Sequence, residues 1–163
     1  MPAHYNVLFL CTGNSARSIM AEALLNHKGG HTFSAYSAGS HASGIVRPEA
    51  LKQLEMAQVP TDGLRSKNWD EFAKPGAPKM NFVFTVCDNA AKEVCPIWPG
   101  QPMTAHWGVA DPAEAKGAPE QIQRAFREAF LVLDRRISLL LSLPFASLDK
   151  LAIQTEVNRI GKQ

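Results

Sequence analysis

The spacing of apolar residues changes period along the chain, and each change marks an element. Tyr5 to Leu10 (YNVLFL) is a nearly unbroken apolar run that stops at Cys11, which predicts a strand buried on both faces. Ser18 to Lys28 then carries Ile19, Met20, Ala23 and Leu24 at helical spacing and closes on Gly29-Gly30. Thr32 to Ala38 alternates small and aromatic residues, as a second strand should. Pro48 to Ala57 reads as a helix opened by proline. An irregular stretch with one helical turn near Asn68 to Ala73 follows, then Phe82 to Val86 (FVFTV), aromatic and β-branched throughout. A short strand is expected within Met103 to Val109. Pro119 to Leu141 places Ile122, Phe126, Phe130, Leu133, Ile137 and Leu140 at steps of three and four, a long amphipathic helix that Pro144 terminates. Ser147 to Ile160 predicts a shorter last helix, capped by Ser147.

Strands alternating with helices define an α/β fold. The expectation is an open parallel four-stranded sheet with helices on both faces. Residues 1–145 form its main body and residues 146–163 a helical extension packed on the same domain. In such a sheet ligands sit beyond the carboxyl ends of the strands. Cys11 and Cys87 both fall at those ends.

Composition narrows the function. A net charge of +2 over 163 residues is too mild for an electrostatic nucleic-acid binder, and no apolar run approaches a membrane span. Three cysteines at this density do not describe a disulfide-stapled secreted scaffold. The chain therefore reads as a cytoplasmic domain with reduced thiols, no tightly bound cofactor and no metal site.

The segment Cys11-Thr12-Gly13-Asn14-Ser15-Ala16-Arg17-Ser18 lies between a buried strand and a helix. A tight loop opening a helix aims successive N–H groups at one point, a nest for a tetrahedral oxyanion. Gly13 offers backbone freedom and Asn14 tolerates left-handed geometry. Arg17 adds a planar fork for two oxyanion oxygens. The same positive field should make Cys11 a thiolate near neutral pH, with Ser18 as a further donor to it.

This loop, with Ser37-Ala38-Gly39 after the second strand, resembles the low-molecular-weight protein tyrosine phosphatase fold, shared by phosphatases and one class of arsenate reductases. The resemblance implies a general acid late in the chain, which Asp111-Pro112 supplies, although the tyrosine usual in phosphatases is here Ala113. Cys87, and Cys95 within VCDNAAKEVCP, look like the thiol pair of thioredoxin-coupled arsenate reductases, and His106-Trp107-Gly108 is similar to them too. Arsenate and phosphate are near-isosteres, but thiols reduce only arsenic(V), so the extra thiols discriminate. The resemblance then implies a relay: Cys11 attacks arsenate, Cys87 displaces arsenite, and Cys95 takes over the disulfide. An external reductant, thioredoxin or a glutathione–glutaredoxin system, restores the thiols. A rigid helix would hold Cys87 and Cys95 about 12 Å apart, so the segment between them must unwind for that last bond. The plainer reading of Cys95 is a small apolar residue before Pro96.

The alternative activity is a low-molecular-weight phosphatase acting on phosphotyrosine or small phosphate esters. Asn14, Glu22 and Ser37 match positions that surround a monovalent cation in some of these reductases. Where those carry an aspartate this chain has Lys67, which reads either as a solvated surface lysine or as an ammonium in the cation's place.

Overall fold

A computed structural model describes residues 4–93 and 98–163. Strands β1 (Tyr5–Leu10), β2 (Phe33–Ala38), β3 (Phe82–Thr85) and β4 (Met103–His106) form one parallel sheet in the order β2-β1-β3-β4. The connections carry helices α1 (Arg17–Gly29), α2 (Pro48–Met56) and α3 (Asp88–Lys92); α4 (Pro119–Leu141) and α5 (Lys150–Ile160) follow β4. β1 is central because both its faces are apolar: Tyr5, Val7 and Phe9 enter one core, Leu8 and Leu10 the other. Its register places Leu10 beside both Ala38 and Thr85. The oxyanion loop and Cys87 therefore leave the sheet as neighbours.

The larger core collects the buried stripes of α1, α2, α4 and α5 over one face. The other face has much lighter helical cover, a 3₁₀ turn at Trp69–Phe72 capped by Asn68. Aromatic bulk does the rest: Trp98 meets Trp69 edge-on at 6.2 Å, and both pack with Phe72, Met80 and Val83. Trp98 is thus a core residue of the second face. Asp149, rather than Ser147, caps α5 by accepting from the Ala152 amide at 2.8 Å. Ser147 instead closes a 3₁₀ turn, Phe145–Ser147. A carboxylate at the cap accepts more strongly than a hydroxyl, and it suits the positive end of a helix.

α5 bears on the end of β4. Trp107 is fully buried, stacks on Phe84 at 4.1 Å and 9°, and donates its indole N–H to Val157 O at 2.9 Å. Arg136 of α4 donates to Trp107 O and Gly108 O at 2.8 and 3.0 Å. These contacts fix the root of the segment that delivers Asp111. Among the described residues no helix is long and apolar enough to cross a membrane.

Candidate active site

The loop after β1 has its carbonyls held from outside. His41 N donates to Thr12 O at 2.9 Å, Ser43 N to Gly13 O at 3.0 Å and Arg47 N to Ser15 O at 2.8 Å. These carbonyls are turned to the 41–47 segment and away from the space an anion would fill; at rest the Thr12 amide is on Cys87 Sγ and the Asn14 amide on Cys11 O. α1 has no side-chain cap at Ala16, so its first-turn N–H groups are also without the usual acceptor. Asn14 takes the left-handed conformation at φ 44° and is completely buried. Its side chain accepts from Lys67 N at 2.8 Å and donates to Ser18 Oγ at 2.8 Å. Gly13 needs no positive φ, and a Cβ there would meet only Ser15 Oγ at 3.8 Å. Glycine is required at Gly39 instead, where a Cβ would lie 2.3 Å from both Cys11 O and Thr12 O. Close approach of β2's exit to the loop, not a turn in the loop itself, sets the glycine requirement.

Cys87 follows β3 and caps α3 with its sulfur. Sγ accepts from Ala90 N at 3.4 Å and from Thr12 N at 3.4 Å, with Thr12 Oγ1 3.8 Å away. Cys11 and Cys87 are both buried free thiols, 6% and 3% exposed, at neighbouring strand ends. Interaction with Cys87 pushes the Cys11 thiol up, with burial adding to the effect and Arg17 opposing it. The same interaction pulls Cys87 down to about 5, against burial and helped by the Thr12 and Ala90 amides and the Thr12 hydroxyl. The sequence leads one to expect a Cys11 thiolate; the Thr12 and Ala90 amides on Cys87 Sγ favour the anion on Cys87 instead.

Arg17 reaches across to the acid. Its Nη1 donates to Val109 O at 2.8 Å, and Nη2 lies 3.5 Å from Asp111 Oδ2. Asp111 Oδ1 accepts from Ala113 N at 2.9 Å, so the carboxylate is aimed from both sides. Arg17, Cys87, Asp88, Val109, Asp111 and Glu114 line a cavity of about 500 Å³. His106 bridges Thr85 Oγ1 at 2.7 Å and Asp88 Oδ1 at 2.9 Å, a structural role that ties α3 to β4. Thr12, Gly13, Asn14, Ser15, Ala16, Arg17 and Ser18 thus meet Cys11, Cys87 and Asp111 at one end of the sheet. Cys95 lies outside the described residues.

Lys67 is not a surface residue. It is 8% exposed, with Nζ 2.8 Å from Arg65 O, 3.5 Å from Ser37 Oγ and 3.6 Å from Glu22 Oε1. Ser37 Oγ donates to the same Glu22 oxygen. Burial lowers the lysine's pKa and Glu22 opposes that shift. The ammonium sits beneath the loop as the counter-charge to a carboxylate that has little water. His41, Ser43, Arg47 and Glu93 are site residues that sequence reasoning passed over. No spacing could reveal the first three, which act through the backbone. Among the described residues no cluster of three or more His, Cys, Asp or Glu side chains could hold a metal.

The profile of the family described as low molecular weight phosphotyrosine protein phosphatase matches residues 6–154, and the chain belongs to that family. Within it the chain is similar to an arsenate reductase of Oceanobacillus iheyensis, 38% identical over 122 residues spanning 75% of this chain and 84% of the relative. Among solved structures it is similar to an arsenate reductase in the phosphate binding state, with a TM-score of 0.69 at 25% identity over 85% of this chain and 97% of that one. It is also similar to a thioredoxin-dependent arsenate reductase of Corynebacterium glutamicum, with a TM-score of 0.55 at 25% identity over 83% of this chain and 63% of that one.

Proposed function

We propose that the chain is an arsenate reductase working by thiol chemistry in the cytoplasm, with thioredoxin as its reductant. The observation that carries this reading is the second thiol: Cys87 leaves the neighbouring strand end with its sulfur on the Thr12 amide of the oxyanion loop, 3.4 Å away. An ester hydrolase has no use for a sulfur there. The arsenate reductase relatives support the substrate, and the thioredoxin-dependent neighbour supports the partner.

The steps follow from the site. Arsenate enters the loop, held by its amides and Arg17. Cys11 gives its proton to the Cys87 thiolate, and the Cys11 thiolate attacks arsenic. A Cys11–As bond forms, an As–O bond breaks, and Asp111 gives the departing oxygen its proton, releasing water. Cys87 gives its proton to the Asp111 carboxylate left by that step, which lines the same cavity, and then attacks the Cys11 sulfur. The S–S bond forms as the S–As bond breaks, and its electron pair stays on arsenic, which leaves as arsenite. Cys95 next attacks Cys87, freeing Cys11 and leaving a Cys87–Cys95 disulfide that two electrons from thioredoxin reduce.

The family itself favours a second reading, hydrolysis of phosphate monoesters with the same Cys11, Arg17 and Asp111. One substitution separates the two. Cys87→Ser should abolish arsenate-dependent oxidation of thioredoxin and leave p-nitrophenyl phosphate hydrolysis largely intact. Undiminished arsenate turnover in that variant would rule out the relay.

A further inference from the structure

Both ends of α3 land on one residue of the oxyanion loop. At the N-terminus, Cys87 Sγ accepts from the Thr12 amide at 3.4 Å. At the C-terminus, Glu93 caps the helix and its Oε1 accepts from the Thr12 hydroxyl at 2.9 Å. The other Glu93 oxygen accepts from the Ser40 hydroxyl and lies 3.7 Å from His41 Nδ1. His41 is also the residue whose amide holds the Thr12 carbonyl outward. One half-buried carboxylate therefore joins α3, the oxyanion loop and the segment that supports the loop.

From this geometry we infer that Glu93 is a positioning residue, a clasp that holds α3 on the oxyanion loop while Cys87 attacks Cys11. Its consequence for catalysis rests on the arsenate reductase reading. A helix of five residues has almost no stability of its own and stays formed only where its ends are held. An oxyanion seated in the loop takes the loop amides, Thr12 N–H among them, and so removes the anchor that Cys87 had at rest. The Thr12 hydroxyl is committed to Glu93 and is not drawn away with the amide. The C-terminal anchor thus survives the event that releases the N-terminal one. Cys87 stays in reach when its sulfur must form the S–S bond to Cys11, as the S–As bond breaks and its electron pair passes to arsenic.

The test compares wild type, Glu93→Gln and Glu93→Ala in two measurements on reduced protein. The first is the single-turnover rate of arsenite release without reductant. Glu93→Ala should slow it about tenfold, the size expected for losing a charge-assisted hydrogen bond. Glu93→Gln keeps an acceptor for Thr12 and should fall between. The second is hydrogen exchange of the amides of residues 88–93, which should quicken in Glu93→Ala. Equal release rates in all three proteins overturn the clasp, as does unchanged exchange. If wild type releases no arsenite, the substrate reading falls and the exchange comparison alone decides the clasp.

Discussion

The first and third strand-to-helix turns begin alike and end as opposites. Each starts with a cysteine at a strand end, and β1 and β3 are hydrogen-bonded neighbours. After β1, a long loop keeps its carbonyls outward and opens a 13-residue helix that has no side-chain cap. After β3 the turn is immediate, and the cysteine sulfur itself caps a helix of five residues. The first junction turns its carbonyls outward and leaves its helix start uncapped, so it can receive an anion. The third places its own Ala90 amide and the Thr12 amide of the first on one sulfur, which favours a thiolate there. A substrate thiol and a resolving thiol thus arise from one architectural unit, separated by whether the helix start is capped.

The comparison breaks most severely at Gly39. Its hydrogen must face Cys11 O and Thr12 O, both 2.3 Å from where a Cβ would stand. Gly39→Ala has to push the oxyanion loop aside while β3, Cys87 and α3 keep their places. A displacement near 1 Å at reacting groups costs about 10²-fold in rate. The overpacking itself costs about 1–3 kcal/mol of stability. We expect arsenate and aryl phosphate turnover to fall together, with a lower melting temperature. Loss of one activity without the other would show that the two reactions do not share the loop.

Next in size is the location of the charge. Ultraviolet titration of reduced wild type should find one thiolate at pH 7 that is lost as pH falls through about 5, the value to which Cys87 is pulled. The sign follows from the donors: a lowered thiol pKa means the anion persists below the usual thiol range and protonates only in acid. The second thiol of the pair should ionise only in strong alkali. In Cys87→Ser the interaction that raises Cys11 most is changed, and Arg17 should bring that thiol back down. A wild-type pair with no thiolate at pH 6 would place the charge on neither turn.

Much of the first turn was legible because it is local. The apolar run of β1, the loop residues and the helix that follows are contiguous, and the register of β1 explains why the loop and Cys87 emerge side by side. The long helix was legible for the same reason, its stripe being written in one segment from Pro119 to Leu141. What escaped depends on distant partners. Thr12 and Cys87 are 75 positions apart, and nothing near either residue says that an amide will meet a sulfur. The bracing of the loop by His41, Ser43 and Arg47 uses main-chain N–H groups, which any residue but proline provides. Glu93 reads in sequence as one more surface charge, and becomes a site residue only through Thr12 and Ser40. On the second face Trp69, Phe72 and Trp98 come together from separate segments, a meeting no local pattern announces.

The smallest expected effect concerns what lies under the first turn, and it has no counterpart under the third. Lys67 Nζ stands 3.6 Å from Glu22 and 3.5 Å from Ser37, while the Lys67 backbone holds the Asn14 side chain that keeps the loop's left-handed residue in place. A buried carboxylate needs a counter-charge, and here the chain supplies it covalently. Exchanging potassium for sodium should therefore leave turnover unchanged within about twofold, since no free cation is needed where an ammonium already sits. Lys67→Met should lower turnover, because Glu22 is left without its partner, and should make the remaining activity respond to potassium over sodium. The ordinary protein responding strongly to potassium would mean that Lys67 does not satisfy Glu22. A methionine variant that responds to neither ion, with unchanged turnover, would reduce Lys67 to packing and leave the loop held by Asn14 and the 41–47 segment alone.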